Sequence, residues 1–376
     1  AVLGLVALCG VFTAMSDVFL TAGNFANLLT QAASVIVIAM GLIFVLLLGE
    51  IDLSAGYASG VTGAVLVLLI TRSDWPWYLA FGASILVGAV MGLLLGTLVA
   101  RVGIPSFVVT LAAFLAFQGI LLLLAGEGGT IRIEDPTILA VQNNNLPVGW
   151  SWLFFLAAGG LYLLSGLNRI NQRRKAGLKT ELKSLWAIKT AGLLLVSAVA
   201  VWALTLERSN NPEVVSLKGI PIVVPVILGI LVVGTFVLGR TAYGRHIYAV
   251  GGNAEAARRA GINVNNIRTS AFVICSAMSA IAGMLFASRQ NSISPTTGGS
   301  STLLYAVGAA VIGGTSLFGG KGKLRDAILG GLVVAVIDNG MGLLGYAAGI
   351  KFIVTGLVLL VSAGVDALSR RGSTSN

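Results

Sequence analysis

Glu50 and Asp52, followed by Ser54, stand between the apolar runs 29–48 and 54–71 in a chain with few carboxylates. A carboxylate in that setting costs at least about 2.5 kcal/mol by insertion scales unless it meets water, a partner or a helix end. Two readings are open for Asp52. With Ser54 it caps the helix that begins there, where unpaired N–H groups and the helix dipole favour negative charge, or it lines a path through the membrane. Glu50 lies a turn earlier, has no cap role open to it, and is assigned to the path. Asp338 and Asn339 follow another apolar run. Asn339-Gly340 has turn composition, while Asp338, near a membrane boundary, requires a partner. Glu50, Asp52, Ser54, Asp338 and Asn339 are the candidate path residues.

Little else is equipped for chemistry. His246 is the single histidine, and the sequence contains no HExxH, CxxC, GxSxG or GxxxxGK[ST] string. Cys9 and Cys275 lie inside apolar runs, where packing as small apolar side chains is the default. The expectation is a chain with no catalytic residues, no metal and no cofactor of its own.

Of the 376 residues, 56% are hydrophobic and 10% charged, with mean hydropathy +0.95. Soluble domains carry about 25% charged residues, so lipid must replace water over most of this surface. Spans that need about 20 apolar residues are expected at 1–20, 29–48, 54–71, 77–100, 106–125, 150–167, 190–206, 221–239, 269–288, 303–318, 327–344 and 350–367. The breaks near residues 50 and 315 mark broken or re-entrant segments, so the fold class is an all-α polytopic bundle of about 10–12 spans. The chain begins at Ala1 without Met and reads as lacking a short native N-terminus, with 1–20 as a first span rather than a signal peptide.

The net charge of +10 would suggest nucleic acid in a soluble protein. Here its placement matters more. Eighteen of the 24 Lys and Arg fall at Arg101, in 168–189, in 240–268, in 319–326 and at the C-terminus, which the span count puts on one side. The positive-inside rule makes that side cytoplasmic, with both termini there. Segment 168–189 reads as an interfacial helix held to anionic lipid at about 1 kcal/mol per cation near the surface. Segments 126–149 and 207–219 read as outer loops, as does Arg289-Gln290-Asn291 with the Ser, Thr and Gly that follow. Residues 46–69 and 311–337 share an apolar run, a Gly-rich polar break and a second apolar run, a weak repeat of the two halves.

One cytoplasmic stretch is patterned as a short helix. Asn253 suits the N-cap, Glu255 the first turn, Arg258 and Arg259 the last turn, and Gly261 the position just past the end. With Ala256 and Ala257 it offers a small alanine face. Two helical turns are marginal alone in water, which favours a partner.

The strings GEIDLSAG, IPSFVVTLAAFLAFQGI, RTAYGRHIYAVGGNAEAARRAGINV and AVIGGTSLFGGKGKLRDAILGGLVVAVIDNGM, in this order, resemble the carbohydrate branch of the branched-chain amino-acid and ribose/xylose-type ABC permeases. The resemblance covers residues 24 to 367. The insertion QRRKAGL at 172–178 and IDNGM at 337–341 look most like the D-xylose subgroup. It implies one permease domain over 1–376, with a first half to about 167, a basic cytoplasmic insertion at 168–189, a second half over 190–367 and a tail at 368–376. It further implies an inner-membrane homodimer, an ATP-binding cassette subunit that binds ATP and Mg and receives the segment around Asn253–Gly261, and an extracytoplasmic sugar-binding protein. At Ser301–Ala306 this chain departs from the acidic Glu-Leu-Asp usual in the family. The rival reading is an ion-gradient-driven sugar transporter, in which Glu50 and Asp52 would be the coupled carboxylates.

Overall fold

The computed structural model describes residues 2–126, 129–177, 183–209, 211–214 and 216–373. It is a bundle of fifteen helices: α1 Val2–Met15, α2 Ala22–Leu46, α3 Ala55–Ser73, α4 Trp77–Thr97, α5 Ser106–Ala125, α6 Pro136–Asn143, α7 Val148–Lys175, α8 Lys183–Thr205, α9 Val223–Arg240, α10 Ala242–Gly252, α11 Ala254–Arg259, α12 Val264–Gln290, α13 Ser300–Gly313, α14 Leu324–Leu343 and α15 Ala348–Ser373. A π turn at Leu98–Val102 extends α4. Strands β1 Ile131–Arg132 and β2 Ser292–Ile293 pair antiparallel, Ile131 with Ile293 and Arg132 with Ser292.

Every expected span coincides with a helix. Among the described residues nine helices are long and apolar enough to cross a bilayer; α1, α13 and Ala348–Gly364 are apolar but shorter. At 1.5 Å per residue the 14 residues of α13 extend about 21 Å, less than the ~30 Å hydrocarbon core. The chain is a multi-pass membrane protein, and both expected breaks are present, at 47–54 and 314–323.

The interior is built on α12, which packs against α2, α3 and α4. Lipid-embedded helices gain little from the hydrophobic effect against each other, so close backbone approach through small residues must do more of the work. On α4, Ser84, Gly88, Gly92 and Gly96 recur every fourth residue and line one face. A methyl group on Gly88 would come within 2.6 Å of the Ser276 carbonyl oxygen, and one on Gly96 within 2.7 Å of the Thr269 Cα. The Ser84 hydroxyl donates to the Thr62 carbonyl at 2.8 Å, tying α4 to α3 as well. Leu86, Val90 and Leu94 of α4, with Leu153, Leu156 and Leu161 of α7, remain exposed in the chain and face outward.

All the cationic segments with described contacts meet at one end. Arg101 reaches Asn266 at 3.5 Å. Arg169 and Arg173 share a cavity with Arg240. Tyr248 donates to the Gly322 carbonyl at 2.7 Å. At the opposite end, β1–β2, α6 and the loop around Glu207 are stitched together. Glu207 accepts from the Ser216 hydroxyl at 2.7 Å and from the Leu217, Ser209 and Arg208 amides, which pulls its carboxyl down to about 2.

Segment 168–189 differs from the interfacial helix expected. Residues 168–175 simply continue α7 and residues 183–189 open α8, so the cations extend a spanning hairpin. Lys179 and Leu178 of that segment lie outside the described residues. Within stretch 240–253, Ala242–Gly252 forms α10, started by Thr241, whose hydroxyl accepts from the Gly244 amide at 3.2 Å.

Gly92→Val should lower thermal stability of the purified protein by at least about 2 kcal/mol, the cost of overpacking a filled contact. Gly149→Val, at a position with nothing within 4 Å, should change it by less than about 0.5 kcal/mol. Equal stabilities of the two variants in a melting series would contradict the α4–α12 contact.

Candidate functional site

The break at 47–54 is a turn followed by a short non-helical, partly buried link between α2 and α3, and its backbone groups need partners. Gly49, at φ +73°, turns the chain out of α2 in a conformation that side chains other than glycine rarely adopt. The Leu47 carbonyl accepts from the Gly320 amide at 2.8 Å. The Ile51 amide donates to the Ser106 hydroxyl and the Thr110 hydroxyl to the Ile51 carbonyl, both at 3.3 Å. The two Gly-rich breaks of the weak repeat are therefore in direct contact, with Gly49 against Phe318 and Gly319.

Asp52 is fully buried. Its Oδ1 accepts from the Ser54 amide at 2.9 Å and the Ser54 hydroxyl at 2.6 Å, and the Cys275 thiol of α12 lies against it. The Ser54 side chain makes no cap bond to α3, because its hydroxyl is committed to Asp52. Asp52 thus folds the chain into α3 through a local side-chain turn. Asp52 and Ser54 face no open passage in this conformation, each being 0% exposed.

Glu50 has a role its sequence neighbours do not disclose. Its carboxylate forms an ion pair at 3.2 Å with Arg268 of α12, with side-chain exposures of 15% and 28%. The arginine Nε makes no aligned hydrogen bond there, so the contact acts as a charge pair.

Asp338 and Asn339 lie elsewhere, near the C-terminal end of α14. Asp338 pairs with Lys351 at 3.6 Å, the partner its position required. Asn339 and Asn24 of α2 exchange two side-chain amide hydrogen bonds of 2.9 Å each, and Asn24 also donates to the Phe19 carbonyl at 2.9 Å. The five candidate path residues therefore form two separate groups. Nearby on α2, Thr30 and Asn27 accept from Arg289 at 2.9 and 3.3 Å. Asn24, Asn27 and Thr30 went unread, though three polar residues in the first turns of an apolar helix are a signal.

The segment after Arg289 is not a plain outer loop. Thr297 is buried, and Gly298 packs onto the Gly56 carbonyl and the Ser59 hydroxyl of α3. Residues 294–299 re-enter the bundle, so the first turns of α3 and α13 meet; Leu303 touches the Gly56 position. Discontinuous helices whose N-terminal ends face each other inside a bundle are a recurring transporter device.

At the basic end α11 forms as the spacing predicts. Asn253 Oδ1 accepts from the Ala256 amide at 2.9 Å, and Glu255 pairs with Arg258 at 3.6 Å and Arg259 at 3.2 Å. The Ile262 amide bonds the Ala257 carbonyl and the Gly261 amide that of Arg258, both at 3.0 Å, with Gly261 at φ +83°. This closes the C-terminus in a Schellman motif. The alanines divide: Ala257 is 4% exposed and packs inward, while Ala256 is exposed. Gly251, at the end of α10, packs on the Leu47 carbonyl and the Gly320 amide, so the α10–α11 elbow rests directly on both breaks.

The family described as branched-chain amino acid transport system, permease component, matches residues 24–363. The xylose transport system permease protein XylH of Escherichia coli strain K12 is 35% identical over 365 residues, 96% of this chain and 89% of that protein. XylH of Haemophilus influenzae is 32% identical over 95% of this chain and 92% of its own length. The ribose import permease protein RbsC of Haemophilus influenzae is 27% identical over 97% and 91%. No solved structure gives a significant match.

Asp52→Asn keeps the acceptor for Ser54 and should melt close to the parent, whereas Asp52→Ala should lose about 1–2 kcal/mol. Glu50→Gln and Arg268→Gln should each destabilise, with a double variant less harmful than their sum by about 1 kcal/mol. Strict additivity in that cycle would remove the ion pair from the account.

Proposed function

The chain belongs to the family of permease components of branched-chain amino acid transport systems, and from that premise we propose that it is the membrane-spanning permease of an ATP-driven monosaccharide importer. Its substrate is D-xylose or another pentose, a reading supported by the xylose and ribose permeases among its relatives. The chain forms the translocation path and leaves ATP hydrolysis, with ATP and Mg, to a separate ATP-binding cassette subunit. An extracytoplasmic sugar-binding protein delivers the sugar to the outer end, and two copies of the permease pair around the path. The setting is the bacterial inner membrane, with the basic end and both termini cytoplasmic by the positive-inside rule.

The observation that carries this reading is the elbow. α11 projects from the basic end, capped at both ends by its own side chains and backbone, and α10 seats on the two breaks. A cassette subunit that grips α11 would push through Gly251 onto Leu47–Gly49 and onto Gly320. Those backbone contacts lead into α2 and α3 on one side and α13 and α14 on the other. Closure of the cassette subunits would thereby favour one packing of the helices over another, which is what alternating access requires. Sugar selection rests chiefly with the binding protein, and the path needs only weak hydroxyl contacts.

A tagged copy of the chain should co-purify an ATPase carrying two Walker motifs. Glu255→Lys, Arg258→Glu and Ala256→Trp should insert normally yet lose most permease-stimulated ATPase activity. Unaltered stimulation in all three would remove α11 from the coupling role. Single cysteines at Lys175, Arg259 and Lys323 in a Cys-free background should be shielded from an impermeant thiol reagent in intact cells, and one at Asn144 labelled. Labelling at Arg259 from outside would invert the orientation. Asn210, a natural second outer position, lies outside the described residues.

A further inference from the structure

Between the basic ends of α7 and α9 lies a cavity of about 520 Å³ lined by Arg169, Gln172, Arg173, Ala176, Gly239 and Arg240. Among the described residues three guanidinium groups line it and no carboxylate does. Among the described residues none of the three forms an ion pair or a side-chain hydrogen bond. Glu181, the single acidic residue between 166 and 206, lies outside the described residues.

The placement of Arg173 and Arg240 alone would be ordinary, since cations near helix C-termini complement the macrodipole. Arg169 is not explained that way. It sits more than a turn inside α7, four residues from Arg173, and so shares its face and its cavity. Three like charges around one hollow repel each other unless an anion sits between them. Guanidinium groups, with planar donor forks, match phosphate oxygens two at a time.

Farther along both helices from the hollow, large apolar side chains are exposed. Leu161, Leu164 and Leu167 of α7 and Val232, Val233 and Phe236 of α9 are all exposed large hydrophobic side chains. α7 itself buries only Ser151 and Ile170. At the outer end the α7–α8 hairpin is fixed to α2 by a small apolar cluster of Ala26, Val201, Leu204 and Ile220, against which Trp152 and Phe155 pack. Nothing comparable joins α7 to α9 at the basic end among the described residues. A phosphate at the cavity mouth with acyl chains below it satisfies both the charge and the exposed apolar side chains.

We propose that this cavity binds the headgroup of an anionic phospholipid, which fastens the α7–α8 hairpin to α9 on the basic side. The site concerns the fit of the hairpin to the bundle and does not depend on which sugar is carried.

The test uses the full chain, delipidated in mild detergent and titrated with phosphatidylglycerol, phosphatidylcholine or inorganic phosphate, and read by native mass spectrometry and thermal unfolding. Phosphatidylglycerol should bind about tenfold more tightly than phosphatidylcholine and raise the melting temperature. The triple variant Arg169→Gln, Arg173→Gln, Arg240→Gln should lose that preference, and Arg72→Gln at the outer end should keep it. Should the triple variant not fold, Arg173→Gln alone should weaken phosphatidylglycerol binding about threefold or more. Unchanged lipid preference in these variants would overturn the site. So would inorganic phosphate stabilising the protein as well as the lipid does, because the acyl chains would then play no part.

Discussion

Small residues let α4 approach α12 until backbone meets backbone, and the other interior contacts are placed by that approach. Gly88, Gly92 and Gly96 have no room for a methyl against Ser276, Phe272 and Thr269. Gly63 and Gly283 bring α3 against α12 in the same manner. Because a bilayer gives apolar side chains little reason to prefer protein over lipid, such contacts and a few internal polar bonds must define the packing. Three of the polar contacts of α12 lie in order along its length and meet α2 or the break that follows it. Arg268 meets Glu50 near its start, Cys275 meets Asp52 midway, and Arg289 meets Asn27 and Thr30 at its C-terminal end.

That order gives the charged break at 47–54 a mechanical meaning. Glu50 is held to α12 by charge, Leu47 to the second break by a hydrogen bond, and Ile51 to α5 by two more. The elbow of α10 and α11 bears on this junction through Gly251. A force applied to α11 would reach both halves of the bundle through stiff backbone contacts rather than through long side chains. Inside the bundle, the re-entrant segment 294–299 brings the first turn of α13 onto that of α3. Movement of either half there is felt by the other.

The spans could be read from the sequence because the bilayer fixes both their length and their composition. α11 was equally legible, since capping is local and Asn253, Glu255 and Gly261 each act within a few residues. What stayed hidden was long-range. The Glu50–Arg268 pair and the Asn24–Asn339 amide pair join distant parts of the chain, the latter 315 residues apart. Neither residue of either pair carries a local pattern that names its partner. The re-entry of 294–299 was hidden for a related reason, because Ser, Thr and Gly compose outer turns and buried bridges alike. In 168–189 the cations suggested a surface helix, whereas continuing the backbone hydrogen bonds of α7 and α8 kept residues 168–175 and 183–189 in spanning helices.

Uptake into proteoliposomes holding this chain, its cassette subunit and the sugar-binding protein addresses the central claim most directly. With labelled xylose outside and ATP inside, accumulation should depend on ATP hydrolysis and persist when proton and sodium gradients are collapsed. Accumulation that needs an ion gradient and proceeds without ATP would contradict the account.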